Sequence, residues 1–199
     1  MTDIIEKLEN KQFQEVKKEL ETLNIPDIAS VFENLEDKSQ IILLFKLLSK
    51  DDAADVFSFL DPEFQETIIN ALQDKEIESI MEEMYMDDAT DFVKEMPANV
   101  VKRVLKNTPK ENRDTINKLL TYPENSAGSL MTTEFIDIKE DLIVDQAFAK
   151  IKQKADDAET IGTIYVTDSR RKIQGVVSIK DLILADREQK ISDIMNTNV

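Results

Sequence analysis

The sequence predicts an α+β chain of two domains: an all-α superhelical solenoid of short helices, then a β-α-β-β-α unit. Three observations carry this. Glycine occurs only at Gly128, Gly162 and Gly175, and all five prolines lie at or before Pro123. Glycine disfavours helix interiors and proline suits a helix's first turn, so a glycine-free stretch with spaced prolines is the pattern of a helical array. Apolar periodicity restarts roughly every 12 residues through that stretch, then gives way after Tyr122-Pro123 to short alternating runs. The expected domains are 1–125, acidic and all-helical, and 126–199.

The first helix is expected over about 3–23, and later starts near Pro26, Lys38, Asp51, Pro62, Lys75, Asp87, Pro97 and Pro109. Asp61-Pro62 and Thr108-Pro109 read as a capping side chain before a first-turn proline. Asp51, Asp52, Asp87 and Asp88 place acid where the helix dipole favours it. Three-turn helices, about 18 Å long, do not fold alone, so their apolar stripes must bury one another. These stripes read as Ala53, Phe57, Leu60; Ala89, Val93, Met96; and Val101, Val104, Leu105.

Beyond Pro123, Phe135–Ile138 reads as a strand and 144–155 as a helix with Val144, Ala147, Phe148 and Ile151 on one face. Thr163–Val166 and Ile173–Val177 form a hairpin through Asp168-Ser169-Arg170, and Ile179–Ala185 is a helix.

Charge is unevenly spread. The chain holds 41 acidic and 25 basic residues, a net of −16. Residues 51–96 carry 15 acidic residues against Lys75 and Lys94, a net of −13, whereas 97–122 carry a net of +4. Such a block repels itself unless cations sit in it, and it argues against nucleic acid as a partner. Cysteine and histidine are absent. This excludes disulfides, thiolate and imidazole metal sites and Ser-His triads, and leaves only oxygen ligands for any metal. No apolar run approaches the ~20 residues of a membrane span, so the chain reads as soluble and cytoplasmic.

Within the acidic block one pentapeptide recurs, as Asp51-Asp52-Ala53-Ala54-Asp55 and Asp87-Asp88-Ala89-Thr90-Asp91. First and last Asp are four apart and share a helix face, a plausible divalent-cation surface. Capping accounts for Asp51, Asp52 and Asp88. Asp55 and Asp91 lie a full turn in, where capping is no explanation. No nucleophile, histidine or Gly-rich loop accompanies the acids, so the chain is not expected to be an enzyme.

Gly175-Val176-Val177-Ser178-Ile179-Lys180-Asp181 resembles the strand-to-helix pattern of CBS domains. Leu130-Met131-Thr132 recurs as Ile194-Met195-Asn196, which is similar to the opening of successive CBS copies and suggests that the chain stops at a second one. With Ser126-Ala127-Gly128-Ser129-Leu130-Met131-Thr132 at the junction, the whole resembles the cytosolic region of MgtE-type magnesium transporters.

That resemblance implies a magnesium-sensing regulatory part, on the cytoplasmic side of the membrane, in which Mg2+ bound between N and CBS domains favours a closed pore. Carried over by position, the ligands are Asp55, Asp87, Asp91 and the main-chain oxygen of Ser129. Implied partners are a second CBS domain, a connecting helix and the transmembrane pore, in a homodimer. Ser178 and Asp181 match positions that hold phosphate and ribose in nucleotide-binding CBS domains. Thr163 stands where an adenine-stacking ring is common, and Lys180 where Arg is common, so a weak or absent ATP response is expected. The competing readings are an adenine-nucleotide sensor module and a helical interaction scaffold.

Overall fold

A computed structural model describes residues 2–199, which divide into two compact units, one up to Met131 and the other Thr132–Val199. Among the described residues the first unit holds ten α-helices and no strand. These are α1 Thr2–Glu9, α2 Phe13–Leu20, α3 Ile25–Phe32, α4 Lys38–Leu47, α5 Lys50–Phe59, α6 Pro62–Ala71, α7 Asp74–Glu83, α8 Met86–Glu95, α9 Ala98–Asn107 and α10 Lys110–Leu119.

Helices α4 to α10 are each ten residues long and are joined by two-residue connectors, from Leu48-Ser49 to Thr108-Pro109. The first residue of each connector is extended, which ends the helix without glycine. It is also a core residue: Leu60, Leu72, Met84, Met96 and Thr108 are buried. The short connectors let helices stack on the next but one, α3 on α5, α4 on α6, α5 on α7, α7 on α9 and α8 on α10. Phe45, Phe57 and Phe92 form an edge-to-face series through the core, with centroids 6.1 and 5.0 Å apart.

Three expectations need correction. The single helix over 3–23 is two, because Lys11 takes a left-handed φ of 60° and Gln12 starts α2. Ile4, Leu8, Val16 and Leu20 are all buried, and their spacing also suits one continuous helix, so the stripe conceals the break. Thr108 does not cap α10. It terminates α9, where its hydroxyl donates to the Val104 carbonyl at 2.9 Å, and Pro109 occupies the N-cap. Asp61 does occupy the N-cap of α6, but its side chain makes no capping bond.

The second unit runs β1 Asp137–Lys139, α11 Val144–Lys154, β2 Thr163–Thr167, β3 Ile173–Ser178, α12 Ile179–Leu184 and α13 Ile191–Ile194. The sheet order is β1-β2-β3, parallel then antiparallel, with Thr163 opposite Ser178. Ile164, Val166 and Val177 pack with Val144, Ala147, Ile151, Leu182 and Ile191 into its core. Asn196 pairs with Val176 through both backbone bonds, at 2.8 and 2.9 Å, and so extends the sheet beyond β3. No helix among the described residues is long and apolar enough to cross a membrane.

Candidate metal site

Asp87 and Asp91 stand one turn apart near the start of α8, whose opposite face buries Ala89, Phe92 and Val93. Helix α10 packs on α8, and beyond it the chain turns at Asn125, φ 59°, into a single 3-10 turn, Ala127–Ser129. Asparagine tolerates that left-handed conformation better than most residues. Both the Ser129 backbone N–H and its hydroxyl donate to the Ser126 carbonyl, at 3.0 and 2.9 Å. Gly128 lies directly against the ring of Tyr122.

These elements meet in a narrow recess lined by Asp87, Thr90, Asp91 and Lys94 of α8, Leu119 of α10, and Gly128, Ser129 and Met131. Oδ1 of Asp87 is shielded from solvent, while Asp91 is exposed. Thr90 is buried, and its hydroxyl donates to the Met86 carbonyl. Lys94 Nζ pairs with Asp91 Oδ1 at 2.7 Å. Three of the four expected ligands, Asp87, Asp91 and Ser129, therefore share one recess. Asp55 does not line it. It lies on α5 beside Asp51 and Asp52, where burial, then the charges of Asp52 and Asp51, push its carboxyl above the usual range.

The residues fit a hard cation in kind. The donors are all oxygen, as magnesium prefers, and a cationic group already sits on Asp91 in the form of the Lys94 ammonium. The recess itself leaves no room for a water-sized sphere. Among the described residues no three acidic side chains cluster tightly enough to hold a metal by themselves.

Ser178 and Asp181 form a reciprocal cap at the start of α12. The Asp181 N–H donates to Ser178 Oγ at 3.1 Å, and the Ser178 hydroxyl donates to Asp181 Oδ2 at 2.6 Å. The Ser178 hydroxyl and then its N–H hold the Asp181 carboxyl below its ordinary value. Ser49 and Asp52 repeat the device on α5, at 3.1 and 2.6 Å. Thr163 is exposed at the start of β2. Two residues on, Tyr165 meets Phe135 edge-to-face at 5.4 Å, a partly exposed aromatic pair that periodicity did not single out.

Known proteins sharpen this picture. The family described as the MgtE intracellular N domain matches residues 23–125, and the CBS domain matches 127–188. The chain is 32% identical over 198 residues to the magnesium transporter MgtE of Thermus thermophilus, covering 98% of this chain and 44% of that protein. It therefore spans less than half the length of that relative. The solved soluble part of a magnesium transporter superposes with a TM-score of 0.89 at 30% identity, covering 100% of this chain and 78% of that one. The cytosolic domain of the Mg2+ channel MgtE in complex with ATP superposes with a TM-score of 0.88 at 30% identity, covering 98% and 80%. Ten stacked short helices followed by a three-stranded α/β unit, in the same order and over nearly the whole chain, leave one assignment: the chain belongs to the MgtE family, with its intracellular N domain followed by a CBS domain.

Proposed function

We propose that this chain is the magnesium-sensing regulatory part of a magnesium channel or transporter and acts at the cytoplasmic face of the membrane without catalysis. Its domains are 1–125 and 126–199. The observation that carries the reading is the convergence of Asp87 and Asp91 with Ser129, about forty positions later in the chain, on one recess of an acidic body. Asp55 adds a second acidic position on α5. Magnesium bound there relieves the repulsion of the −13 block. It thereby stabilises the compact state, which in the full-length homodimer corresponds to a closed pore. A second CBS domain, a connecting helix and the pore complete the machine.

The test is a magnesium titration followed by thermal melting at constant ionic strength. Millimolar magnesium is expected to raise Tm beyond matched sodium, by mass action on the folded state. Asp87→Asn with Asp91→Asn removes that specific part. In the full transporter the same pair is expected to shift closure to higher magnesium. Closure at the wild-type concentration sinks the reading.

A second reading, nucleotide binding at Ser178 and Asp181, is favoured by the solved relative in complex with ATP. An ATP-dependent rise in Tm that Asp181→Ala abolishes supports it. The absence of any rise leaves the pair as a helix cap.

A further inference from the structure

We propose that Lys94 is a tethered competitor for the cation site: its ammonium holds Asp91 until magnesium displaces it, and this sets the concentration at which the site fills. The proposal rests on the reading of Asp87, Asp91 and Ser129 as magnesium ligands.

Three observations place Lys94 in this role. Its Nζ lies 2.7 Å from Asp91 Oδ1, so ammonium and metal ion contend for the same carboxylate. Lys94 lines the same recess as both carboxylates and Ser129. Its side chain is 32% exposed where that of Asp91 is 66% exposed, so the pair leaves the carboxylate open to solvent. Only one other lysine, Lys75 on α7, falls within residues 51–96, and it does not line the recess.

The physics sets the size of the effect. Two cations held on one carboxylate repel each other, so magnesium entry weakens the pair. A largely exposed ion pair is weak, and its removal tightens binding by about two- to five-fold. Competition of this strength sets a threshold without blocking the site. A pair that served only the helix, as i,i+3 pairs do, gives the opposite sign, because its loss loosens α8 and with it the recess.

The test is calorimetric titration of magnesium chloride into the 199-residue chain at constant ionic strength. The variants are Lys94→Met, Lys94→Arg, Lys75→Met and Asp91→Asn. Lys94→Met is expected to bind magnesium about two- to five-fold more tightly. Lys94→Arg keeps the cation and stays near wild type. Lys75→Met makes the same change in net charge away from the recess and gains less. If Lys94→Met gains no more than Lys75→Met while Asp91→Asn weakens binding, the competitor is overturned and the metal site stands. If Asp91→Asn binds as wild type does, or no variant binds, both fall.

Discussion

A methyl group on Gly128 would lie 2.5 Å from two ring atoms of Tyr122, so the ring packs directly against the backbone next to Ser129. Both atoms belong to the stem side of the ring, which cannot swing aside as a flexible tip can. Gly128→Ala is expected to displace the ring or the 3-10 turn and to destabilise the helical unit by about 1–3 kcal/mol. Because Ser129 moves with the turn, the magnesium-dependent gain in Tm is also expected to shrink. Urea unfolding with and without magnesium checks both effects.

The second unit has a harder contact. A Cβ at Gly175 would meet the backbone oxygen of Asn196 at 2.5 Å. That oxygen accepts the Val176 N–H, so it cannot retreat without breaking the bridge. Gly175→Ala is expected to cost about 1–3 kcal/mol. It should also free the Asn196 amide, which hydrogen exchange reads as faster exchange at that position.

Asp55 gives a pH-dependent prediction. Its carboxyl is raised by burial and by Asp52 and Asp51, so the folded chain binds that proton more tightly than the unfolded chain. Stability is therefore lost as pH rises from the ordinary aspartate range through the raised value, and it stays lost at neutral pH. Asp55→Asn is expected to raise Tm at neutral pH in low salt without magnesium. The gain fades in acid, where the charge is removed, and shrinks in high salt, which screens the part due to Asp52 and Asp51. Thermal melts across pH and salt read this directly, and an unchanged Tm in low salt refutes it.

Asp181 behaves in the opposite sense. Its carboxyl is held low by the Ser178 hydroxyl and N–H, so its contribution is present above the unfolded value and is lost as pH falls through the folded one. Ser178→Ala removes the cap at a cost of about 1 kcal/mol and flattens the acid side of the stability curve. A steep acid limb surviving in Ser178→Ala would assign that limb to another carboxylate.

Helix starts were legible to within one residue from α3 to α10, because proline, acid and restarted apolar stripes coincide there. The break at Lys11 was not, since neither glycine nor proline marks it and the buried stripe runs on in phase. The acidic face of α8 could be read from the recurring pentapeptide. The hold of Lys94 on Asp91 could not, because i,i+3 acid–base spacings are common and only packing shows which are made. Nor does pattern alone bring Ser129 to α8. That depends on α10 stacking against α8 and on Tyr122 seating against Gly128.

The uniform ten-plus-two module restricts how such a body can change length. One residue added inside a helix rotates everything beyond it by about 100° and carries the buried face toward solvent. A two-residue extended connector has no slack to absorb that turn. Lengthening or shortening the α4–α10 array is therefore tolerated in whole modules of twelve, which restart each helix at the same phase of its own stripe. The two acidic pentapeptides obey this rule, since α5 and α8 stand three modules apart and present their carboxylates in the same phase. A third acidic face, if engineered, belongs at the start of a module and at no intermediate position.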